Sequence, residues 1–222
     1  MSLKRVAAAW QRGGTSLAAR VMLDRASDFC WERYFGIDSA GLIPIETLVP
    51  EWRGCHDYFP SSRKPFHSLM AFIDVHAGHD VFVDFGAGKG RALLMAAQYP
   101  FKRVEGIEIS EALCREARRN VARWTGTFAC SDIEIWTGDA AHYLIPGDAT
   151  VFYFYNPFHG RTLDAVFEAI ARSHAAAPRR IWVVFNNTAH FLPIERRFPW
   201  LKVIARPSFE HDCGIYLAAG LR

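Results

Sequence analysis

From Val81 onward, short apolar runs of strand length alternate with longer segments of helical period. Val81-Phe-Val-Asp-Phe85 is an apolar run closed by a glycine turn, the pattern of a parallel strand buried on both faces. A helix is predicted over Arg91–Tyr99, stopped by Pro100, then a strand over Arg103–Ile109 and a helix over Ser110–Trp124. Ser110 is placed to cap that helix, with Glu111 in its first turn, where negative charge favours the helix dipole. Ile133–Trp136 alternates as a third strand, and Ala149–Tyr155, rich in β-formers on both faces, is a fourth and central one. Thr162–Ala176 follows as a helix ended by Pro178, and Arg180–Phe185 as a fifth strand. The last two strands, Leu201–Ala205 and Gly214–Ala219, are joined by the polar segment Pro207–Asp212. That segment leaves no room for a crossover helix, so this pair is expected to be antiparallel.

Before Val81 the pattern changes. Helices are predicted near Ser16–Phe35 and Ser61–Val75, separated by the Gly/Pro-punctuated stretch Gly36–Pro60. The expected architecture is α/β: a Rossmann-like, seven-stranded, mostly parallel sheet with a C-terminal antiparallel hairpin and an N-terminal helical cap. Residues 1–80 are read as the cap, packed across the C-terminal edge of the sheet, and residues 81–222 as the sheet domain.

Composition narrows the function classes. With 222 residues, 50% hydrophobic and 22% charged, the chain can bury a sizeable core and is not globally disordered. A net charge of +3 is too small to signal nucleic acid. The five cysteines are scattered and never form C-x-x-C, so reduced thiols in a cytoplasmic protein are expected, with no disulfide framework and no metal site. No apolar run approaches the ~18–20 residues that span a bilayer. The N-terminus carries Lys4, Arg5, Arg12 and Arg20 with no acid before Asp24, which is similar to a transit peptide. Asp24, Asp28 and Glu32 follow without a break and favour an amphipathic first helix instead.

The candidate chemistry gathers at strand ends. Asp84-Phe85-Gly86-Ala87-Gly88-Lys89-Gly90 joins the first strand to its helix, and glycines suit such a turn because positive φ and close backbone approach exclude side chains. The N–H groups at the helix start then face whatever binds there. Glu108, closing the next strand, stands where an acid takes ribose hydroxyls. A dinucleotide turn reads G-x-G-x-x-G; here the third glycine comes one residue sooner, and Asp84 would repel a pyrophosphate. Three carboxylates at successive strand ends (Asp84, Glu108 and Asp139) suit an adenosine ligand that bears an ammonium. S-adenosyl-L-methionine is the cofactor this implies, with Asp84, Gly86, Ala87, Gly88, Gly90, Glu108, Asp139, Ala140 and Asn156 expected around it.

Asn156-Pro157-Phe158 ends the fourth strand at the crevice beyond the strand ends, where a methyl would meet its acceptor. The Asn156 amide oxygen can hold an amine or amide N–H, Pro157 leaves carbonyls free, and Phe158 can stack on a planar group or wall off water. Methyl transfer relies on positioning and a dry pocket, which fits the lack of a nucleophile triad. An ammonium acceptor needs a base; Tyr58, Tyr155, His159 and Glu108 are the candidates. His76 and His79 have metal-like spacing but read as a solvated loop. Lys89 lacks the spacing of a phosphate-binding lysine. Trp182, Phe185 and Phe152 read as core, Asn186-Asn187 as pocket lining or a polar turn, and Arg196-Arg197 as a solvated face.

As a set, Val81–Arg91, Gly106-Ile-Glu108, Gly138-Asp139-Ala140 and Asn156-Pro157-Phe158 resemble the motifs of the class I S-adenosylmethionine-dependent methyltransferase superfamily. The resemblance covers roughly residues 56–220, and the closing antiparallel hairpin is that superfamily's usual ending. The Asp-Phe-Gly-Ala-Gly-Lys-Gly-Arg and Tyr-Asn-Pro-Phe runs look most like small bacterial DOT1-like lysine methyltransferases. Their cap carries a Tyr-x-Pro-Ser/Thr segment that Tyr58-Phe59-Pro60-Ser61 resembles, which implies a catalytic-site role for Tyr58 beside Asn156. Such enzymes often show Asn-Pro-Pro-Tyr; this chain has Asn-Pro-Phe. The expected function is methylation of a nitrogen on a small molecule or protein side chain. A nicotinamide-dependent oxidoreductase and a non-catalytic adenosine-binding module are the alternatives.

Overall fold

The computed structural model describes residues 3–49, 54–188, 194–209 and 211–218. Seven strands form one sheet in the order β3-β2-β1-β4-β5-β7-β6. They are β1 (Val81–Phe85), β2 (Arg103–Glu108), β3 (Ile133–Thr137), β4 (Ala149–Phe154), β5 (Trp182–Phe185), β6 (Leu201–Ala205) and β7 (Gly214–Ala218). The first five are parallel to one another, whereas β7 runs antiparallel to both β5 and β6. The hairpin is therefore as expected, but the returning strand inserts between β5 and β6, a placement that local sequence does not specify. Ala219, expected at the end of β7, lies outside the described residues.

The buried runs explain the layering. Every residue of β1 and β5 is buried, and alternate side chains feed two separate cores. Phe82, Tyr153 and Val184 point to one side, where they meet Phe66, Leu93 and Met95. Val81, Val83, Phe85, Phe152, Phe154 and Val183 point to the other, against Leu163, Phe167 and Ile170. Helices α2 (Arg63–Met70), α3 (Arg91–Ala96) and α4 (Glu111–Arg123) supply the first layer, and α5 (Gly160–Ala176) the second. Ser110 caps α4 through its hydroxyl, which accepts from the Leu113 N–H. Trp182, Phe185 and Phe152 are all core residues.

The strand ends are held by an aromatic ladder. Phe85, Phe154 and Phe185 are in register across β1, β4 and β5, with stacked rings 5.0 and 4.8 Å apart. Phe158 sits edge-on to Phe85 and Phe154 and is buried beneath the turn. It is thus packed into the core while bordering the slot, a placement that suits walling off water.

Helix α1 (Leu3–Phe35) is longer than the predicted Ser16–Phe35 and is broken at Gly13 and Gly14, the latter at φ 66°. The side chains of Lys4, Arg5 and Arg12 are outside the described residues; a short helix α6 (Ile194–Arg197) precedes β6. Helix α1 is joined to the sheet by an ionic cluster. Arg91, the first residue of α3 and only 4% exposed, pairs with Asp28 at 3.1 Å and with Glu32, and its Nε donates to the Ser39 hydroxyl. Its guanidinium lies 5.6 Å from the Trp31 ring, and Arg63 lies 5.0 Å from the same ring. A second tie runs beside it: the Lys89 ammonium reaches Asp38 at 3.2 Å, and the Asn120 amide donates to the Asp38 and Lys89 carbonyls at 2.9 Å.

Removing one partner of a buried pair leaves the other charge uncompensated, at a cost of about 3–5 kcal/mol, while an apolar replacement of the whole cluster can be neutral. Arg91→Met is therefore expected to lower unfolding stability by roughly that amount in urea titrations. The triple variant Asp28→Leu, Glu32→Met, Arg91→Met should recover most of the loss.

Candidate functional site

The carboxyl ends of β1, β2 and β4, with the cap segment that crosses them, enclose a narrow slot of about 80 Å³. Asp84, Gly86, Ala87, Glu108, Asp139, Ala140 and Asn156 line it, with Tyr58 from the cap. It adjoins a wider cleft of about 470 Å³ that shares Cys55, His56, Asp57, Phe59, Tyr155 and Asn156 with the slot and adds Asn187 and His211.

The glycine turn works by backbone. Gly86 and Gly88 adopt φ of 81° and 56°, and the Gly86 and Ala87 N–H groups both donate to the Ile107 carbonyl, at 2.9 and 3.0 Å. A Cβ on Gly86 would lie 2.4 Å from Cβ of Pro157, so the glycine turn and the Asn-Pro-Phe turn are in direct contact. Gly88 and Gly90 are not among the residues lining the slot. A Cβ on Gly88 would meet the Tyr58 ring at 2.2 Å, and one on Gly90 would meet Cβ of Ala117 in α4 at 3.0 Å. Both allow close passage, of the Tyr58 ring and of α4.

The acids stand in three environments. Asp84 is 3% exposed, and its carboxylate has no hydrogen-bond partner among the described residues. Burial, and then the nearby Glu108 charge, pushes its pKa well above the ordinary carboxylate value. Glu108 accepts from the Gly88 N–H at 2.8 Å and the Ser110 N–H at 2.9 Å. Burial raises its pKa, and those backbone donors oppose the rise. Asp139, more exposed, caps the short 3-10 turn Ala140–His142 by accepting from the Ala141 N–H at 2.9 Å. The neighbouring Arg91 does not neutralise these acids, since Asp28 and Glu32 already engage its charge.

Asn156 is in the left-handed region at φ 48°, and its buried Oδ1 has no hydrogen-bond partner among the described residues. It borders both slot and cleft. Tyr58 lines the slot; its hydroxyl donates to the Ser39 carbonyl at 2.6 Å, and burial drives its pKa far up. Glu108 is likewise held by its backbone donors, which leaves Tyr155 and His159 among the expected proton acceptors. His159 Nδ1 lies 3.2 Å from Nε2 of His56, a residue that sequence reasoning passed over although it shares the Tyr58 face of an extended segment at period two. Backbone pairing of Cys55 with Phe158, and the His56 N–H donated to the Pro157 carbonyl at 3.1 Å, set His56 beside Asn156.

Other candidates fall outside the site. Lys89 is turned to the cap. Asn186 is buried, donating from Nδ2 to the Tyr153 hydroxyl at 2.8 Å, with Ser61 3.0 Å from the same hydroxyl, while Asn187 reaches the cleft. His76 and His79 are exposed, and no group of three or more His, Cys, Asp or Glu side chains among the described residues could hold a metal. Arg196 and Arg197 are exposed, as expected. No described helix is long and apolar enough to cross a membrane.

The arrangement fits an amine-bearing adenosine ligand: a partnerless buried carboxylate, an orphaned amide oxygen, and a glycine at Gly86 where a side chain cannot fit. No protein-family model matches the chain. Over 147 residues it is 30% identical to a trans-aconitate 2-methyltransferase of Methylobacterium radiotolerans, an alignment covering 65% of this chain and 55% of that protein. The chain spans about half the length of the curated relatives it matches. An RNA methyltransferase from Salinibacter ruber, solved with S-adenosyl-L-homocysteine, superposes with a TM-score of 0.53 at 21% identity, covering 73% of this chain and 95% of that one. A SAM-dependent methyltransferase from Aquifex aeolicus gives 0.54 at 15% identity, covering 69% and 88%. The fold is thus the Rossmann-like methyltransferase fold, with the hairpin that distinguishes it from dinucleotide-binding sheets.

Asp84 has a raised folded-state pKa, so its protonated form is favoured by folding and its ionisation opposes the fold as pH rises above the ordinary carboxylate value. Asp84→Asn should therefore raise the thermal midpoint of the ligand-free protein at pH 7–8. The gain should shrink as pH falls towards about 4, where the unfolded carboxylate also becomes protonated.

Proposed function

We propose that the chain is an S-adenosyl-L-methionine-dependent methyltransferase that methylates a nitrogen of a small molecule or protein side chain. The observation that carries it is the partnerless, desolvated carboxylate of Asp84 next to Glu108 and the orphaned Asn156 Oδ1. Such a site favours a ligand that brings its own cation and N–H donors. When bound, the cofactor supplies a sulfonium-activated methyl group. In this reading Asp84 holds the ammonium, Glu108 the ribose hydroxyls, and Asp139 with Ala140 the adenine side. Gly86 and Ala87 let the ligand approach the backbone, and Gly88 and Gly90 set the packing around the turn. Residues 1–80 act as the cap that carries Tyr58 over the turn, and residues 81–222 as the catalytic domain.

On the acceptor side, Asn156 Oδ1 accepts an N–H of the methyl acceptor and aims its lone pair. The His56–His159 pair and Tyr155 are the groups available to take its proton. The ionisable side chains lining the cleft among the described residues are Glu46, Cys55, His56, Asp57, Tyr155 and His211. The acids Glu46 and Asp57 on that rim favour an amine over a carboxylate. The motif resemblance to DOT1-like enzymes, read from the sequence alone, implies the same acceptor. A second reading, transfer to a carboxylate oxygen, is favoured by the relatives named for trans-aconitate.

Calorimetric titration should show binding of S-adenosylmethionine and S-adenosylhomocysteine; binding of NAD alone would overturn the reading. A charged buried hydrogen bond contributes about 1.5–3 kcal/mol, so Asp84→Ala and Glu108→Ala should each weaken cofactor affinity roughly 10- to 150-fold. Unchanged affinity in both would mean the site lies elsewhere. Methylated products trapped from an amine and carboxylate library should survive mild alkali, whereas an alkali-labile methyl ester would establish the oxygen reading.

A further inference from the structure

Two acids share one face of the sheet at the slot, and only one of them is supplied with donors. In the β1–β2 register Asp84 lies beside Gly106, so Glu108, two residues further along β2, is on the same face and one step away. Both are nearly closed to solvent, at 3% and 7% exposure. Glu108 accepts from the Gly88 and Ser110 N–H groups, which favour its ionised form. Asp84 accepts from no group among the described residues. Nor does a cation serve it. Lys89 is held by Asp38, and Arg91 by Asp28 and Glu32. From β4, the Tyr153 hydroxyl is bonded to Asn186 and Ser61, and from the cap the Tyr58 hydroxyl donates to Ser39. The other titratable side chains of the slot are Asp139, which adds negative charge, and Cys55, His56, Asp57 and Tyr155, which also border the cleft. Of two carboxyl groups in one desolvated site, the one without donors keeps its proton until a cation arrives.

Resting on the reading of the slot as the S-adenosyl-L-methionine site, we propose that Asp84 is a neutral carboxylic acid in the ligand-free protein and gives up its proton when the cofactor's ammonium arrives, which ties cofactor binding to the release of one proton. The Asp84 O–H bond breaks, its proton passes to solvent, and the carboxylate left behind pairs with the α-ammonium, which keeps all of its own protons. A neutral acid is thereby replaced by a neutral ion pair, so at no stage is a lone charge buried at Asp84. An ordinary carboxyl group ionises near pH ~4, and burial with the Glu108 charge holds that of Asp84 well above this value. Between the two the free site is protonated and the occupied one ionised, so affinity climbs with pH, by up to about tenfold per unit. Above the raised value both states are ionised and the dependence disappears. The same exchange sorts ligands: an adenosine compound without an ammonium brings no cation to take the proton's place. Preference for an amine-bearing ligand therefore sharpens as pH rises through this window.

Calorimetric titration of the full chain with S-adenosylhomocysteine, at about pH 6 and about pH 7, keeps the ligand's amino group charged. Repeating it in buffers of unlike ionisation enthalpy counts the protons exchanged. Protons should be released, approaching one per ligand as pH falls towards 6, with weaker binding at the lower pH. 5′-Methylthioadenosine, which has the nucleoside and no ammonium, should bind without releasing any. Asp84→Asn should bind S-adenosylhomocysteine more weakly and release none. Infrared difference spectra of the natural chain with carbon-13-labelled aspartate should show the band of a protonated carboxyl group vanish when S-adenosylhomocysteine is added. That measurement decides the matter on its own where the variant binds too weakly to titrate. Binding without proton release at either pH, equal release with 5′-methylthioadenosine, release that persists in Asp84→Asn, or an infrared spectrum without the vanishing band would each overturn the proposal and leave the cofactor reading standing. Failure of the folded chain to bind either S-adenosylmethionine or S-adenosylhomocysteine would overturn both.

Discussion

The guanidinium of Arg91 sits where the glycine turn becomes α3, enclosed by Asp28 and Glu32 of α1, the Ser39 hydroxyl and the Trp31 ring. A chain of contacts over the glycine turn starts here. Glu32 holds Ser39, the Ser39 carbonyl receives the Tyr58 hydroxyl, and the Tyr58 ring closes on Gly88. A buried ion pair adds little net stability once desolvation is counted, but a single broken partner is costly. Its effect here is to permit one arrangement of cap and turn, because any other leaves a charge stranded.

The slot shows the opposite use of buried charge. Asp84 and Glu108 are both desolvated and lie close enough for Glu108 to raise the pKa of Asp84. That is unfavourable for the ligand-free fold, and natural proteins commonly accept such a cost where a site must grip a cation. The base beneath the acids is correspondingly rigid: the Phe85–Phe154–Phe185 ladder fixes three strand ends, and Phe158 wedges below the turn that carries Asn156. Contact between Gly86 and Pro157 then links the glycine turn to the Asn-Pro-Phe turn, so neither can shift without the other. With Asn156 held at positive φ and its amide oxygen orphaned, polar capacity is directed at the boundary between slot and cleft.

Much of this was legible along the chain because its causes are local. Apolar runs at strand length, glycines where φ turns positive, the Ser110 cap, and acids at the ends of β1 and β2 are short-range signals, and they placed Asp84, Gly86, Glu108, Asp139 and Asn156 around one slot. What the chain does not record is where a residue's packing depends on a distant neighbour. Phe158 is core because Phe85 and Phe154 lie over it, and Gly88 and Gly90 are spacers because Tyr58 and Ala117 pass them closely.

What the sequence by itself determined is the alternation of strands and helices, the antiparallel ending, and the acidic character of the strand ends, all consequences of local geometry and residue chemistry. Only the tertiary structure decided that β7 enters between β5 and β6, and that Arg91 belongs to acids some sixty residues earlier in the chain. It likewise decided that the Tyr58 hydroxyl is bound to Ser39 and that His56 joins His159. The reason is physical: such pairings are selected by what each group must satisfy once water is removed, and no periodicity along the chain records who the partner will be.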